Sequence, residues 1–335
     1  MVRHFCRQSG VALLSTMVMV TVISLILGSL YYRHQLEILR SARQLSTDSA
    51  FLLTLSAEYW AKQLLADSDS NVVHLQQDWA ISLPLLPVEG GELTGKIRDL
   101  QGSVNLNNLA DYTAERWASE MEDGQSETGY HSVLQRLLET DDDELSAALI
   151  DWLDENTEEL QYGAEDGYYQ TLSPARMPAN TPLASIAELP MVAGWSLEHV
   201  RRLQGLAVAL PDSTAININT APIEVLAALL SDLSETALEE LIEQRPFDSV
   251  SEFVIAAEDA GQDLALPPAA MLTVASEFFE LETYVQLGMT KLTMTSTLFR
   301  GANGEVMVIA RTLRHGAPPV QNTADNGEDG DEDAV

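Results

Sequence analysis

Apolar and polar positions divide this chain into stretches of different texture. Val11 to Leu30 is an unbroken apolar run without a charged side chain. As a helix it is roughly 30 Å long, about the hydrocarbon thickness of a bilayer. From Arg33 to about Ala66 there is no Pro or Gly, and Leu36, Leu39, Ala42 (or Arg43), Leu45, Ala50, Leu53, Ala57, Trp60 and Leu64 recur mostly three or four apart. That spacing predicts an amphipathic stalk continuous with the apolar run. Together they predict one helix of ~55 residues, roughly 80 Å long.

Asp67 to Asn71 breaks the pattern, and the stretch to Gly91, with Pro84, Pro87 and a Gly90-Gly91 turn, reads as irregular. Glu92–Asp99 alternates as a strand, Gly102–Leu106 reads as a second, and Asn107 or Asn108 is placed to cap the next segment. From about Ala110 to Ala275 the periodicity becomes that of short helices: Thr113–Met121, Ser132–Thr140, Glu144–Leu153, Ser185–Val192, Leu197–Ala207, Pro222–Leu230, Glu235–Gln244 and Val250–Ala257. Asp141 to Asp143 suit the start of the third, and Pro222 suits a first helical turn. A loop from Asp154 to Pro182 separates the third from the fourth. Strand alternation returns at 279–285, 292–299 and 305–314, the last two joined through Asn303-Gly304, a hairpin signal. The tail from Gly316, with Pro318-Pro319 and six acids between Asp325 and Asp333, is expected to be disordered.

Charge narrows the function. With 51 acidic and 18 basic residues the chain carries −33, which opposes nucleic acid and anionic lipid headgroups. Cys6 is the only cysteine, so neither an internal disulfide nor a cysteine metal site is available. Arg3 and Arg7 precede the apolar run without an acid and predict an amino terminus on the cytoplasmic side, although Arg33 and Arg40 beyond it reduce the asymmetry.

Three candidate chemistries bear on the function. Ile218-Asn219-Thr220-Ala221 with Val225-Leu226, Leu241-Ile242 and Phe247 approaches a helix-hairpin-helix signature. Its hairpin, Ser231 to Glu235, holds two acids and no glycine, and the better one around Gly194 and Arg201-Arg202 is flanked by Glu188 and Glu198, so phosphate is repelled. Catalysis has little support: the six histidines form no HExxH, and there is no nucleophile elbow or P-loop. The loop-helix corner with Asp151, Asp154, Glu155, Glu165 and Asp166 near Gly163 and Gly167 offers oxygen ligands for a hard cation such as Ca²⁺, with solvated acids as the plainer alternative. Trp60, Trp79, Trp117, Trp152 and Trp195 read as core or interface residues.

Ser9-Gly10-Val11 places a small residue before the apolar run. A secretory signal would have it after, with a shorter run. This start resembles the leader of type IV pilins and type II secretion pseudopilins. The resemblance implies cleavage by a prepilin peptidase between Gly10 and Val11, with methylation of the new amino terminus as a further expectation. The family usually has glutamate at the fifth mature position, where this chain has Ser15, and that departure is similar to the K-type minor pseudopilin of the filament tip. Further resemblance lies in Asp99-Leu100-Gln101-Gly102, Asn105-Leu106-Asn107-Asn108-Leu109, Ile150-Asp151-Trp152-Leu153-Asp154, Gly163-Ala164-Glu165-Asp166 and Asn217-Ile218-Asn219-Thr220-Ala221.

The implied fold is α+β, a long N-terminal transmembrane and stalk helix on a small pilin-like antiparallel sheet with a large inserted all-helical domain. Its expected divisions are a leader (1–10), a span (11–30), a stalk (31–66), a pilin-like core (67–109 with 276–315), an insert (110–275) and a tail (316–335). The implied role is a non-enzymatic minor pseudopilin that initiates or caps a periplasmic pseudopilus. It would be anchored once in the inner membrane, partnered by I- and J-type minor pseudopilins, and bind calcium through its insert; Asp151, Asp154, Glu165 and Asp166 are the candidate ligands. The rival readings are a membrane-anchored DNA-binding protein of the competence type and a membrane-anchored hydrolase.

Overall fold

The computed structural model describes residues 9–123, 129–261 and 265–316; most of the expected leader and residues 317–335 of the expected tail lie outside the described residues. In chain order the first elements are α1 (Ser9–Asp67), β1 (Leu83–Val88), β2 (Gly91–Asp99) and β3 (Val104–Asn105). The insert follows with α2 (Ala114–Asp123), α3 (Tyr130–Leu138), α4 (Asp143–Leu153), α5 (Asp166–Tyr169), α6 (Leu197–Arg202), β4 (Ala207–Val208), β5 (Ile216–Asn217), α7 (Ile223–Leu229), α8 (Glu235–Glu243) and α9 (Val250–Ala260). β6 (Leu272–Thr273), β7 (Phe278–Leu287), β8 (Thr290–Arg300) and β9 (Val306–His315) close the chain.

α1 is one uninterrupted helix of 59 residues, as the absence of proline allows. Its N-terminal part is exposed, and it is the one helix among the described residues long and apolar enough to cross a membrane. Its C-terminal half lies on a five-stranded antiparallel sheet of order β1-β2-β7-β8-β9. Along β7 alternate residues Phe279, Leu281, Thr283, Val285 and Leu287 are buried, as one-sided packing of a period-two strand requires.

The contact line on α1 departs from the predicted stripe. Ala50, Thr54, Glu58, Ala61 and Leu65 are buried, whereas Leu53, Ala57 and Leu64 are half-buried and Leu39, Leu45 and Trp60 are exposed. Apolar periodicity misses this line because two of its residues are polar and find partners inside. Ser296 donates to Glu58 Oε2 at 3.0 Å, and the Arg311 guanidinium grips both carboxylate oxygens at 2.7 and 2.8 Å. Burial pushes the Glu58 carboxyl up, but the Arg311 and Ser296 hydrogen bonds and the Arg311 charge outweigh it and hold the pKa below its ordinary value. A depressed carboxyl stabilises the fold at neutral pH, and that contribution disappears as pH falls through the folded pKa. Thermal unfolding followed from pH 7 downward is therefore expected to show a steeper loss in the native chain than in Glu58→Gln.

Other differences have local causes. The stretch predicted irregular contains β1 despite Pro84 and Pro87, because β1 is an edge strand and needs no outward N–H groups. Gly91, at the β1–β2 turn, is sterically obligatory: a Cβ there would lie 1.8 Å from Gln286 O. The predicted second strand shrinks to β3, which leaves the main sheet to pair in parallel with β4. The cap after it is Asn105, whose side chain accepts from Asn107 N–H, while Asn107 and Asn108 are buried in other bonds. Pro190 keeps 186–191 as a 3-10 run, α6 stops at Arg202, and Pro222 stands at the N-cap of α7 rather than inside its first turn. The 154–182 loop contains the single turn α5.

The insert repeats one design. Ile216-Asn217-Ile218-Asn219 answers Val104-Asn105-Leu106-Asn107, and Pro246-Phe247-Asp248-Ser249-Val250-Ser251-Glu252-Phe253 answers Pro182-Leu183-Ala184-Ser185-Ile186-Ala187-Glu188-Leu189. The bonds repeat with the letters. Asn107 clamps Leu183 by accepting from its N–H at 2.9 Å and donating to its carbonyl at 3.0 Å; Asn219 clamps Phe247 at 2.8 and 2.9 Å. Each unit is closed by a short parallel pair, β3 with β4 and β5 with β6.

A buried polar joint fastens the second unit to the sheet. Asp99, at the end of β2, accepts from Ser276 Oγ (2.6 Å), Thr220 Oγ1 (2.6 Å), Gln101 N–H (2.9 Å) and Asn217 Nδ2 (3.0 Å). Arg300 of β8 adds bonds to the Ser276 carbonyl, the Leu65 carbonyl and Ser68 Oγ. Three distant stretches of chain therefore meet at one carboxylate.

Candidate assembly helix and cation site

Two regions hold the residues singled out by the sequence. The first is the beginning of α1. The Gly10–Val11 bond lies in its first turn, and Ser15 is exposed on its surface with Oγ donating back to the Ala12 carbonyl at 2.9 Å. A serine bonded to its own helix satisfies itself and presents no charge outward. The apolar side chains of the run, such as Leu14, Met17 and Leu25, are about two-thirds exposed, so nothing among the described residues covers them.

The second region is the acidic corner. Asp142 caps α4 by accepting from Glu144 N–H, and α4 delivers Asp151 to a fully buried position near its end. Asp151 is consumed by the loop it organises: Leu160 N–H donates to it at 3.3 Å and Ala164 N–H at 2.8 Å. Gly163 is required for this approach, since a Cβ there would fall 1.9 Å from Asp151 Oδ2. Asp154 is occupied by Asn156, whose backbone and side-chain N–H groups both donate to it. Asp166 is half-buried in the first turn of α5.

Glu165 differs from the other three. It is 4 % exposed, and both carboxylate oxygens are buried without a hydrogen-bond partner. Burial, then repulsion from Asp154 and Asp166, pushes its pKa up to about 7. Asp151 is likewise pushed up to about 7, by burial first, with Glu165 and Asp154 adding to it against its two backbone donors. The four predicted acids are thus brought into one electrostatic neighbourhood, but with separate duties. Among the described residues no three His, Cys, Asp or Glu side chains converge into a ready metal shell. What fits a hard cation is the unpaired buried carboxylate of Glu165 with Asp154 and Asp166 nearby.

The sequence did not single out Glu58 or Arg311, whose signals are polar residues inside apolar periodicity. In the better hairpin, Arg202 is engaged by Glu139 and the Leu138 carbonyl.

Comparison with known proteins bears on the whole chain. Two family models, both described as type II secretion system (T2SS), protein K, match residues 102–212 and 216–275, and their boundary falls between the two repeated units. Type II secretion system protein K of Aeromonas hydrophila is 32% identical over 326 residues, covering 93% of this chain and 98% of the relative. This chain belongs to the type II secretion system protein K family. The protein K of Pseudomonas aeruginosa is 29% identical over 331 residues, with 94% and 96% covered. Among solved structures, a chain of the GspK-GspI-GspJ complex from the enterotoxigenic Escherichia coli Type 2 Secretion System superposes with a TM-score of 0.67 at 25% identity, over 83% of this chain and all of that one. The long apolar helix, the antiparallel sheet and the helical insert are the architecture of the K family. Its members are structural components of secretion, and the single apolar helix fits a single-pass anchor.

Proposed function

We propose that this chain is the minor pseudopilin at the tip of a type II secretion pseudopilus, where it initiates or caps assembly with I- and J-type minor pseudopilins. The observation carrying this is one continuous 59-residue helix bearing a small sheet into which a bulky helical domain is inserted. The match to protein K from a complex with two further pseudopilins supports it. The exposed apolar segment serves first as an inner-membrane anchor and then as an assembly helix; the amino terminus is cytoplasmic and the sheet and insert are periplasmic. Prepilin peptidase cuts between Gly10 and Val11, and the new amino terminus is methylated. Ser15 offers no carboxylate to a neighbour's amino terminus, which suits a subunit with nothing stacked above it. The role is assembly, without catalysis or nucleic-acid binding.

The acidic corner supports a structural divalent cation, with calcium the best match to its oxygen donors. Glu165 would bind it directly, Asp154 and Asp166 would complete the charge, and Asp151 would hold the loop in place. Co-expression with the I- and J-type pseudopilins of the same secretion system tests the main reading. A ternary complex that survives size-exclusion chromatography in detergent is expected; a K-family chain that elutes alone beside an I–J pair contradicts it.

A further inference from the structure

The sheet-facing line of α1 continues past the end of the sheet. Glu58, Thr54 and Ala50 are buried under the strands, and Ser46 and Thr47 are half-buried. Ser46 Oγ donates to the Leu287 carbonyl at 3.4 Å, which sets the membrane-side end of the sheet at that level of the helix. Further steps of three or four toward the apolar run bring Arg43 and Arg40 onto the same side, and Arg33 follows seven residues on. All three arginines are exposed, and among the described residues none makes an ion pair or a side-chain hydrogen bond. Glu37 is the one acid between them. Other arginines of the chain are engaged: Arg311 holds Glu58, Arg300 the Ser276 and Leu65 carbonyls, Arg202 Glu139 and Arg98 Glu280. The stalk below the sheet is thus an island of unspent positive charge on a chain of net charge −33.

The chain itself supplies the complement. β9 runs toward the same end of the sheet, where His315 pairs with Leu292 and Gly316 N–H donates to the Lys291 carbonyl at 3.0 Å. The Lys291 side chain is exposed and, among the described residues, also unpaired. Residues 317–335 continue from there without a basic residue, and six acids fall between Asp325 and Asp333. β9 lies two strands from β7, a lateral offset of ~10 Å, and Arg43 and Arg40 lie ~4.5 and ~9 Å along the helix from Ser46. The nine residues from Gly316 to Asp325 span about 15–18 Å on average as a flexible chain and ~30 Å at full extension, so the acids reach the arginines without strain. A tether matched to its span gives such a contact an effective concentration in the millimolar range, which offsets the weakness of each exposed ion pair. Lipid headgroups are the poorer occupant, because Arg40 and Arg43 stand ~15 and ~20 Å along the helix from Leu30, beyond a Debye length of ~8 Å. We infer that residues 325–333 dock on Arg33, Arg40 and Arg43, with Lys291 at the root of the tail, as an electrostatic clasp within one chain. Asp99 and its joint to the insert lie at the opposite end of β2 from Gly91 and Leu287, so the clasp keeps the tail beside the membrane-side stalk and away from the insert. It goes beyond the assembly role and does not depend on it.

The test is a distance measurement on the full chain, alone, in detergent. In a Cys6→Ser background, spin labels are placed by Gln44→Cys, on the exposed surface of α1, and by Gly330→Cys, among the tail acids, so that every charge in question stays in place. Label-to-label distances are recorded by double electron–electron resonance at low salt and at ~1 M salt, where the Debye length falls to ~3 Å. The same pair is measured with Arg40→Gln and Arg43→Gln together, and separately with the six tail acids replaced by their amides. The two arginines are exposed and the acids lie beyond the sheet, so an unchanged unfolding midpoint is expected of both variants, and either one alone suffices for the comparison. The expected result is a short-distance population about threefold or more larger in the native chain than in the variants, and lost at high salt. Equal distributions in the native chain and the variants would overturn the clasp. Short distances that survive both the substitutions and the salt would overturn it as well, since charge would not be holding the tail. Short distances that vanish when the labelled chain is diluted with unlabelled chain would assign the tail to a second copy's stalk and overturn it. Short distances present in detergent but lost in nanodiscs containing anionic lipid would give the arginines to headgroups and overturn it too. Because the chain is measured alone, none of these results bears on the assembly role.

Discussion

Asp99→Ala is expected to be the most destabilising single substitution in the pilin-like core, lowering stability by about 3–5 kcal/mol. The carboxylate is buried and receives four hydrogen bonds, from Ser276, Thr220, Gln101 and Asn217. Alanine removes the acceptor: Gln101 N–H and the Ser276 hydroxyl lose it outright, while Asn217 retains the Val73 carbonyl and Thr220 only a long bond to the Asn217 carbonyl, and the nearby Arg300 loses the charge that favours its own ionised form. Two of the donors belong to the second insert unit and one to the linker between β6 and β7 that returns from it, so damage should spread across the joint. Denaturant unfolding of the full chain in detergent should show a lower midpoint, and limited proteolysis should cut between sheet and insert. Asp99→Asn, which keeps an acceptor oxygen, should fall between the two. Glu239→Ala, on an exposed face of α8, serves as the control and should shift stability by less than about 0.5 kcal/mol. An Asp99→Ala chain that unfolds and resists protease like the control would refute the joint.

Calcium is expected to reverse the pH dependence of the insert. Asp151 and Glu165 are held at about 7 in the folded chain, well above ordinary carboxyl values, chiefly by burial. Between those ordinary values and pH 7 the folded state therefore binds more protons than the unfolded one, and stability falls as pH rises through that window. A cation that binds the ionised carboxylates opposes this. At a hundredfold excess over its dissociation constant it adds about 2.7 kcal/mol. Thermal unfolding in chelator should show a midpoint that declines from pH 5 to 8, and calcium should restore it at the upper end. Glu165→Gln should flatten the decline and remove the calcium response together, because it keeps the volume and discards the charge. A chain whose midpoint ignores calcium at pH 8 has no such site.

The readable parts of this fold are those where one periodicity dominates. The apolar run, the stalk without proline, the alternation of Phe279 to Val285 and the Asn303-Gly304 turn are local signals, and the structure follows them. What stayed hidden depends on pairs far apart in the chain. Thr54 and Glu58 look like solvent residues until Met294 of β8 meets the first, and Ser296 of β8 and Arg311 of β9 meet the second. β1 looks like a loop because its prolines are harmless only at an edge, and edge position is a property of the whole sheet. The acidic corner was located as a group, but the division of labour within it was not. Which acid is spent on backbone N–H groups, and which is left with free oxygens, follows from how Leu160 to Ala164 curls back on α4. The duplicated Asn-x-Asn clamps were visible as letters at 105–107 and 217–219, and only their identical bonds identify them as a repeat.

The account turns on α1 being a processed assembly helix rather than a plain anchor. Intact mass of the full chain, expressed with and without an active prepilin peptidase, measures this directly. The predicted result is loss of residues 1–10 only when the peptidase is present, leaving Val11 first, and no loss when Gly10 is replaced by a bulky residue. A chain that keeps residues 1–10 beside an active peptidase, or that is cut regardless of the residue at position 10, contradicts the account.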